Sequence, residues 1–193
     1  MSVVVAAIAV LAILTLLNLL LTFGVIRKLR EQELTAVRPP VTLSVGARVP
    51  DFTASTAGGD VVSVAALRPS GGLVAFLAPD CSGCQEQLPA VRSALAEALD
   101  TPMAVLVVVT RLRPESAHTD NEDTDLVAAL GVADSRAAIV HEPLDGTLQS
   151  AFQVAAFPGF YLVDTDGRVA AVSNNAAQLP ELFPGRDVVS VGR

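Results

Sequence analysis

Hydrophobic positions along this chain change their rhythm several times. Residues 2–26 carry no charge and are dominated by Ala, Val, Ile and Leu. At about 1.5 Å per residue, a helix of that length spans the roughly 30 Å hydrocarbon core of a bilayer. The pattern predicts one transmembrane helix over 1–26, interrupted only by Thr15, Asn18 and Thr22. Residues 27–45 are charged and then break at Pro39-Pro40, which predicts a juxtamembrane helix followed by a linker. From Gly46 to the end at Arg193, short apolar runs alternate with stretches of helical period, the mark of one folded α/β domain.

Within 46–193, residues 61–64 follow the turn residues Gly58-Gly59-Asp60 and read as a short strand. Residues 73–77 form an apolar strand between Gly71-Gly72 and Pro79. Leu88, Val91, Leu95 and Leu99 recur at spacings of three and four, predicting a helix over 82–99 with a kink at Pro89. The unbroken apolar run 103–109 predicts a strand buried on both faces. Residues 111–125 are polar and acidic, an expected exposed loop leading into a helix at 125–130. A strand at 137–140 and a helix at 148–154 follow. Apolar runs at 159–163 and 169–172 flank Asp164-Thr165-Asp166-Gly167, a hairpin signal, and 178–183 predicts a last short helix.

The flanks of the first segment bear on its role. No basic residue precedes the apolar core and no small-residue exit follows it, so an uncleaved anchor fits better than a signal peptide. Arg27, Lys28 and Arg30 follow directly, and the positive-inside rule places that side in the cytoplasm. The net charge is −7; of 13 basic and 20 acidic residues, 27–38 hold four and two, leaving 9 against 18 beyond them. That excess of acid excludes the basic footprint of a nucleic-acid-binding protein.

The chemistry concentrates in Cys81-Ser82-Gly83-Cys84, the only two cysteines of the chain, placed after an apolar strand at the head of the predicted helix. Helix N-terminal N–H groups favour an anion, so the first sulfur is suited to act as a thiolate. With no third cysteine, the pair reacts internally or with a partner. Half a zinc site would need two more ligands, and His118 and His141 stand in no ligand-spaced pattern. No metal and no cofactor is called for.

Gly46, Pro50-Asp51-Phe52, Gly59, Val62, Cys81 with Cys84, Pro89, Phe157-Pro158-Gly159-Phe160-Tyr161-Leu162-Val163-Asp164 and Asp166-Gly167 occur in an ordered set. Over 46–172 this set resembles the membrane-anchored thioredoxin-like thiol–disulfide oxidoreductases of the TlpA/ResA kind, and the related accessory protein of methylamine utilisation. The resemblance implies a thioredoxin-like fold, a central mixed sheet flanked by helices, preceded here by one transmembrane helix. It implies Cys81 as the attacking thiol, Cys84 as the resolving one, and a cis bond at Pro158 in a substrate groove lined by Phe157 and Pro158. Family precedent places the domain outside the cytoplasm, against the charge rule, with a membrane electron donor as a partner.

Tuning groups differ from those of relatives. Asp80 stands where many have Trp; it either opposes thiolate formation at Cys81 or caps the helix that starts at Ser82. Thioredoxin's buried acid falls on Ala75, and Ser82-Gly83 between the cysteines forecasts no particular potential. The leading expectation is a membrane-tethered enzyme exchanging disulfides with a protein partner. The alternatives are a thioredoxin-like maturation or binding module for one client and a peroxiredoxin-like peroxidase, the latter weakened by Ala78 where a Thr is wanted. Copper delivery is weaker still, lacking the longer cysteine spacing.

Overall fold

Branched apolar residues build the centre of this protein. In the computed structural model, which describes residues 42–112, 121–132, 136–183 and nine positions between Val5 and Leu19, the run after Met103 is a strand buried along nearly its whole length. The chain divides into two units, Met1–Pro40 and Val41–Arg193.

In the first unit the described positions are helical, and Val5, Ile8, Leu11, Leu14, Leu16 and Leu19 are exposed. The expectation of a transmembrane helix over 2–26 is corrected here. Among the described residues no helix is long and apolar enough to cross a membrane. A span requires about 20 consecutive apolar residues in one helix. With the span go the membrane tether, the membrane partner, the membrane electron donor and the choice between its two faces. The juxtamembrane helix expected after residue 26 lies outside the described residues.

The second unit runs β1 (Thr53–Ser55), β2 (Val61–Ser63), α1 (Val64–Leu67), β3 (Gly72–Leu77), α2 (Ser82–Asp100), β4 (Ala104–Arg111), α3 (Asn121–Leu130) and β5 (Ala138–Pro143). It continues through α4 (Thr147–Phe152), β6 (Gly159–Val163), β7 (Val169–Ser173), a 3₁₀ turn (Ala176–Gln178) and α5 (Leu179–Leu182). The main sheet has the order β5-β4-β3-β6-β7. Strands β3, β4 and β5 are parallel, which demands crossover connections, while β6 and β7 run antiparallel to their neighbours. β1 and β2 form a separate antiparallel pair. This is an α/β thioredoxin-like fold with a central mixed sheet.

Alternation along the strands feeds two cores. Leu73, Ala75 and Leu77 of β3 join Val105, Val107 and Val109 of β4, against Val91, Ala94, Leu95 and Ala98 of α2. Val74 and Phe76 turn the other way, to Leu106, Val108, Tyr161 and Phe152. Among the described residues Thr110 and Gln149 are buried and bond to one another: Gln149 Nε2 donates to Thr110 Oγ1 and to the Pro143 carbonyl, each at 2.8 Å. The Glu142 carboxylate accepts from the amides of Leu148 (3.0 Å) and Gln149 (2.9 Å), closing the start of α4.

Several elements differ from the sequence pattern. β1 is polar and gives no apolar alternation; pairing with β2 makes it a strand. Val64 leaves the strand to begin α1, its side chain buried. α3 begins at Asn121 rather than 125. The helix expected over 82–99 is α2, which holds Pro89 on its exposed side. Residues 113–120 of the expected loop lie outside the described residues.

Candidate functional site

Strand β3 is buried throughout, so the chain emerges at its carboxyl end and must turn sharply to enter α2. Three hydrogen bonds fix that turn. The Cys81 amide donates to the Ala78 carbonyl at 3.2 Å, and Gln85 Nε2 reaches back to the Pro79 carbonyl at 2.8 Å. The Leu112 amide, just past β4, donates to Asp80 Oδ1 at 3.2 Å. Asp80 therefore does not cap the helix. Cys81 itself is the N-cap residue, with extended backbone and no side-chain cap. Its carbonyl accepts from the amides of Cys84 and Gln85, both at 3.1 Å.

Both thiols are free, and their surroundings differ. Cys81 is half-buried; Cys84, one turn into α2, is 1% exposed within the core that holds Ala75 and Phe160. The Cys81 thiol donates to the Phe157 carbonyl at 3.5 Å. The Phe157–Pro158 peptide is cis, and Pro158 is buried. Gly83 faces the same loop: a β-carbon there would lie 3.7 Å from the Phe157 oxygen, 3.7 Å from Pro158 Cδ and 3.9 Å from Cys81 Sγ. Cys81, Gly83, Phe157 and Pro158 are thus brought together, while Ser82 points to solvent.

The loop reaches the dithiol by local geometry. α4 ends at Gln153 in a left-handed conformation, and the Val154 amide donates to the Gln149 carbonyl at 2.9 Å. The chain then passes Phe157 and enters β6, where Gly159 pairs with Phe76 of β3. Because β3 also leads into the dithiol, that pairing seats Phe157–Pro158 beside Cys81.

Burial above all pushes the Cys84 thiol up to about 12. A hydrogen bond with the Ala78 backbone opposes the rise, while Cys81 and then Asp80 add to it. The ordinary value is 9.0, so the fold favours the neutral thiol. Its contribution to stability is complete below about pH 9 and is lost as pH climbs towards 12. Iodoacetamide is therefore expected to label the reduced protein once near neutral pH, on Cys81. A second label on Cys84 is expected only as the solution becomes strongly alkaline. Intact-mass spectrometry with peptide mapping reads this, and double labelling at neutral pH would contradict it.

Ala75, where a buried acid would assist the resolving thiol, is buried in the same core as Cys84. Glu86 is exposed. His141 Nδ1 lies 3.6 Å from Asp123 Oδ2, which also holds the Arg111 guanidinium; His118 lies outside the described residues. Sequence reasoning missed the tie between Asp80 and Leu112 and the brace from Gln85. The first spans 32 residues and leaves no local signal.

Fold and site together define a class: a thioredoxin-like domain with a Cys81–Cys84 dithiol at the head of α2. Residues 45–172, about two thirds of the chain, match the AhpC/TSA family, and the chain belongs to that family. Among solved structures, it is similar to a thioredoxin domain of a thiol-disulfide oxidoreductase from Bacteroides vulgatus. That match has 20% identity and a TM-score of 0.57, over 72% of this chain and 94% of the other. A thiol:disulfide interchange protein from Bacteroides sp. matches at 19% identity and TM-score 0.54, over 71% and 86%. A hypothetical protein from Sinorhizobium meliloti 1021 matches at 21% identity and TM-score 0.60, over 77% and 89%. At these identities the likeness carries the fold. No curated protein matches the chain.

Proposed function

We propose that this domain exchanges disulfides with a protein partner, Cys81 attacking and Cys84 resolving. The observation that carries the reading is the asymmetry of the pair: a half-buried Cys81 against the Phe157–Pro158 loop, and a wholly buried Cys84 one helical turn away. Only the outer sulfur is open to a substrate disulfide. Its thiolate forms a new S–S bond with one substrate sulfur as the old S–S bond breaks, and the departing sulfur takes up a proton. Cys84, losing its proton, then attacks Cys81 within the mixed disulfide and frees the second substrate thiol. The substrate gains two electrons and two protons, and the domain is left with a Cys81–Cys84 disulfide. Run backwards, the same steps oxidise a dithiol. Phe157 and Pro158 line the approach to Cys81, and Gly83 leaves room for a chain lying against them.

A peptide whose disulfide holds a fluorophore beside a quencher tests the reading, with dithiothreitol regenerating the protein. Multiple turnovers above the rate of dithiothreitol alone are expected. No acceleration would overturn the proposal, as would consumption of hydrogen peroxide faster than of the peptide disulfide. Binding of a client without turnover would favour the maturation-module alternative.

A further inference from the structure

We propose that Asp80 makes this site selective for disulfides that carry a positive charge close to the reacting sulfur. The inference rests on the exchange reading above and adds the substrate's chemical class.

Asp80 is the residue before the outer cysteine, and adjacent Cα atoms are about 3.8 Å apart, so its carboxylate lies within roughly 10 Å of Cys81 Sγ. That carboxylate is held in place. Oδ1 accepts from the Leu112 amide at 3.2 Å, and the turn that bears it is braced from the other side by Gln85. Of the two arginines that flank Leu112, Arg111 is turned to Asp123, with Nε to Oδ1 at 3.2 Å and Nη2 to Oδ2 at 3.1 Å, and Arg113 lies outside the described residues. The charge of Asp80 is half-buried and already felt inside the site, since it adds to the rise at Cys84.

A substrate disulfide reacts in line with Cys81, which brings the atoms flanking its sulfur into the field of this carboxylate. A cation about 6 Å from a fixed carboxylate gains roughly threefold in association in a water-like medium, and nearer tenfold where the site excludes water. An anion loses as much. The separation is shorter than the Debye length of about 10 Å at 0.1 M salt, so the preference survives moderate ionic strength and fades well above it. Charge enters at the encounter and in the mixed disulfide. The bonds formed and broken are those of the exchange already described.

The full reduced chain is mixed with three small disulfides of similar size: cystamine, bearing two ammonium groups; 2-hydroxyethyl disulfide, neutral; and dithiodiglycolate, bearing two carboxylates. Each second-order rate constant is divided by that of the same disulfide with 2-mercaptoethanol, which removes intrinsic reactivity. The normalised ratio of cystamine to dithiodiglycolate is expected to be about tenfold or more. Asp80→Asn keeps an oxygen for the Leu112 amide while removing the charge, and is expected to lower the ratio at least about threefold. Salt at about 0.5 M is expected to compress the wild-type ratio in the same direction. A wild-type ratio near one, or a ratio unchanged in Asp80→Asn, would overturn the assignment to Asp80. Failure of all three disulfides to react would instead remove the exchange reading, and this inference with it.

Discussion

Cys81→Ser is expected to bring disulfide reduction down to the rate of the reductant alone, a loss of at least about a thousandfold if the wild type is efficient. The reason lies in the placement of the two sulfurs. A serine hydroxyl keeps the shape of the N-cap position but supplies no thiolate. Cys84 cannot take over the attack. It is 1% exposed, sits one turn inside α2 among apolar side chains, and its thiol is pushed up to about 12 by that burial. The variant should remain folded, because the Cys81 side chain makes only the 3.5 Å contact with the Phe157 carbonyl and partial packing against the core. The measurement is turnover of the quenched disulfide peptide beside far-ultraviolet circular dichroism. A folded Cys81→Ser protein that retained activity would remove the nucleophile from the account.

Phe152→Ala is expected to be the most damaging single change to the fold, costing about 3–5 kcal/mol. Phe152 is fully buried and makes three ring contacts, with centroids at 5.2 Å to Tyr161, 5.5 Å to Phe76 and 5.9 Å to Phe52. Those rings come from β6, β3 and the segment before β1, so one truncation opens a cavity between elements distant in sequence. Its carbonyl also accepts from the Leu43 amide at 3.2 Å, a bond that survives the substitution only if α4 keeps its place. At 2–4 °C per kcal/mol, the midpoint of thermal unfolding should fall by roughly 10 °C. Phe152→Leu should recover much of that loss. A drop of less than about 1 kcal/mol in Phe152→Ala would mean the second core is not packed as described.

The parts of this molecule that read clearly in the sequence are those whose cause is local. The branched run that becomes β4 is apolar on every residue because both faces of that strand are covered, from Val105, Val107 and Val109 on one side to Leu106 and Val108 on the other. The hairpin of β6 and β7 follows from Asp166-Gly167, where Gly167 takes a φ of 75° and Asp164 Oδ1 accepts from the amides of Asp166 and Arg168. The contrast between Cys81 and Cys84 follows from helical phase, since Cys84 shares a face with Leu88 and Val91.

What did not read clearly depends on contacts between distant segments. Thr53-Ala54-Ser55 has no strand signal of its own and is extended only through its register with Val61-Val62-Ser63. Asp80 is not the helix cap that its position offered; its carboxylate accepts from an amide on the neighbouring strand's exit. Residues 2–26 show a different lesson. Their length and hydropathy meet what a span requires, yet among the described residues no helix is long and apolar enough to cross a membrane.

The central claim is that Cys81 attacks and Cys84 resolves, and one measurement tests it most directly. A Cys84→Ser protein, reduced and mixed with the disulfide peptide, is separated under acid-quenched, non-reducing conditions and weighed by mass spectrometry. The account predicts a single covalent adduct of one half-peptide, mapped to Cys81 and released by added thiol. Absence of an adduct while the wild type turns over, or an adduct at a residue other than Cys81, would contradict it.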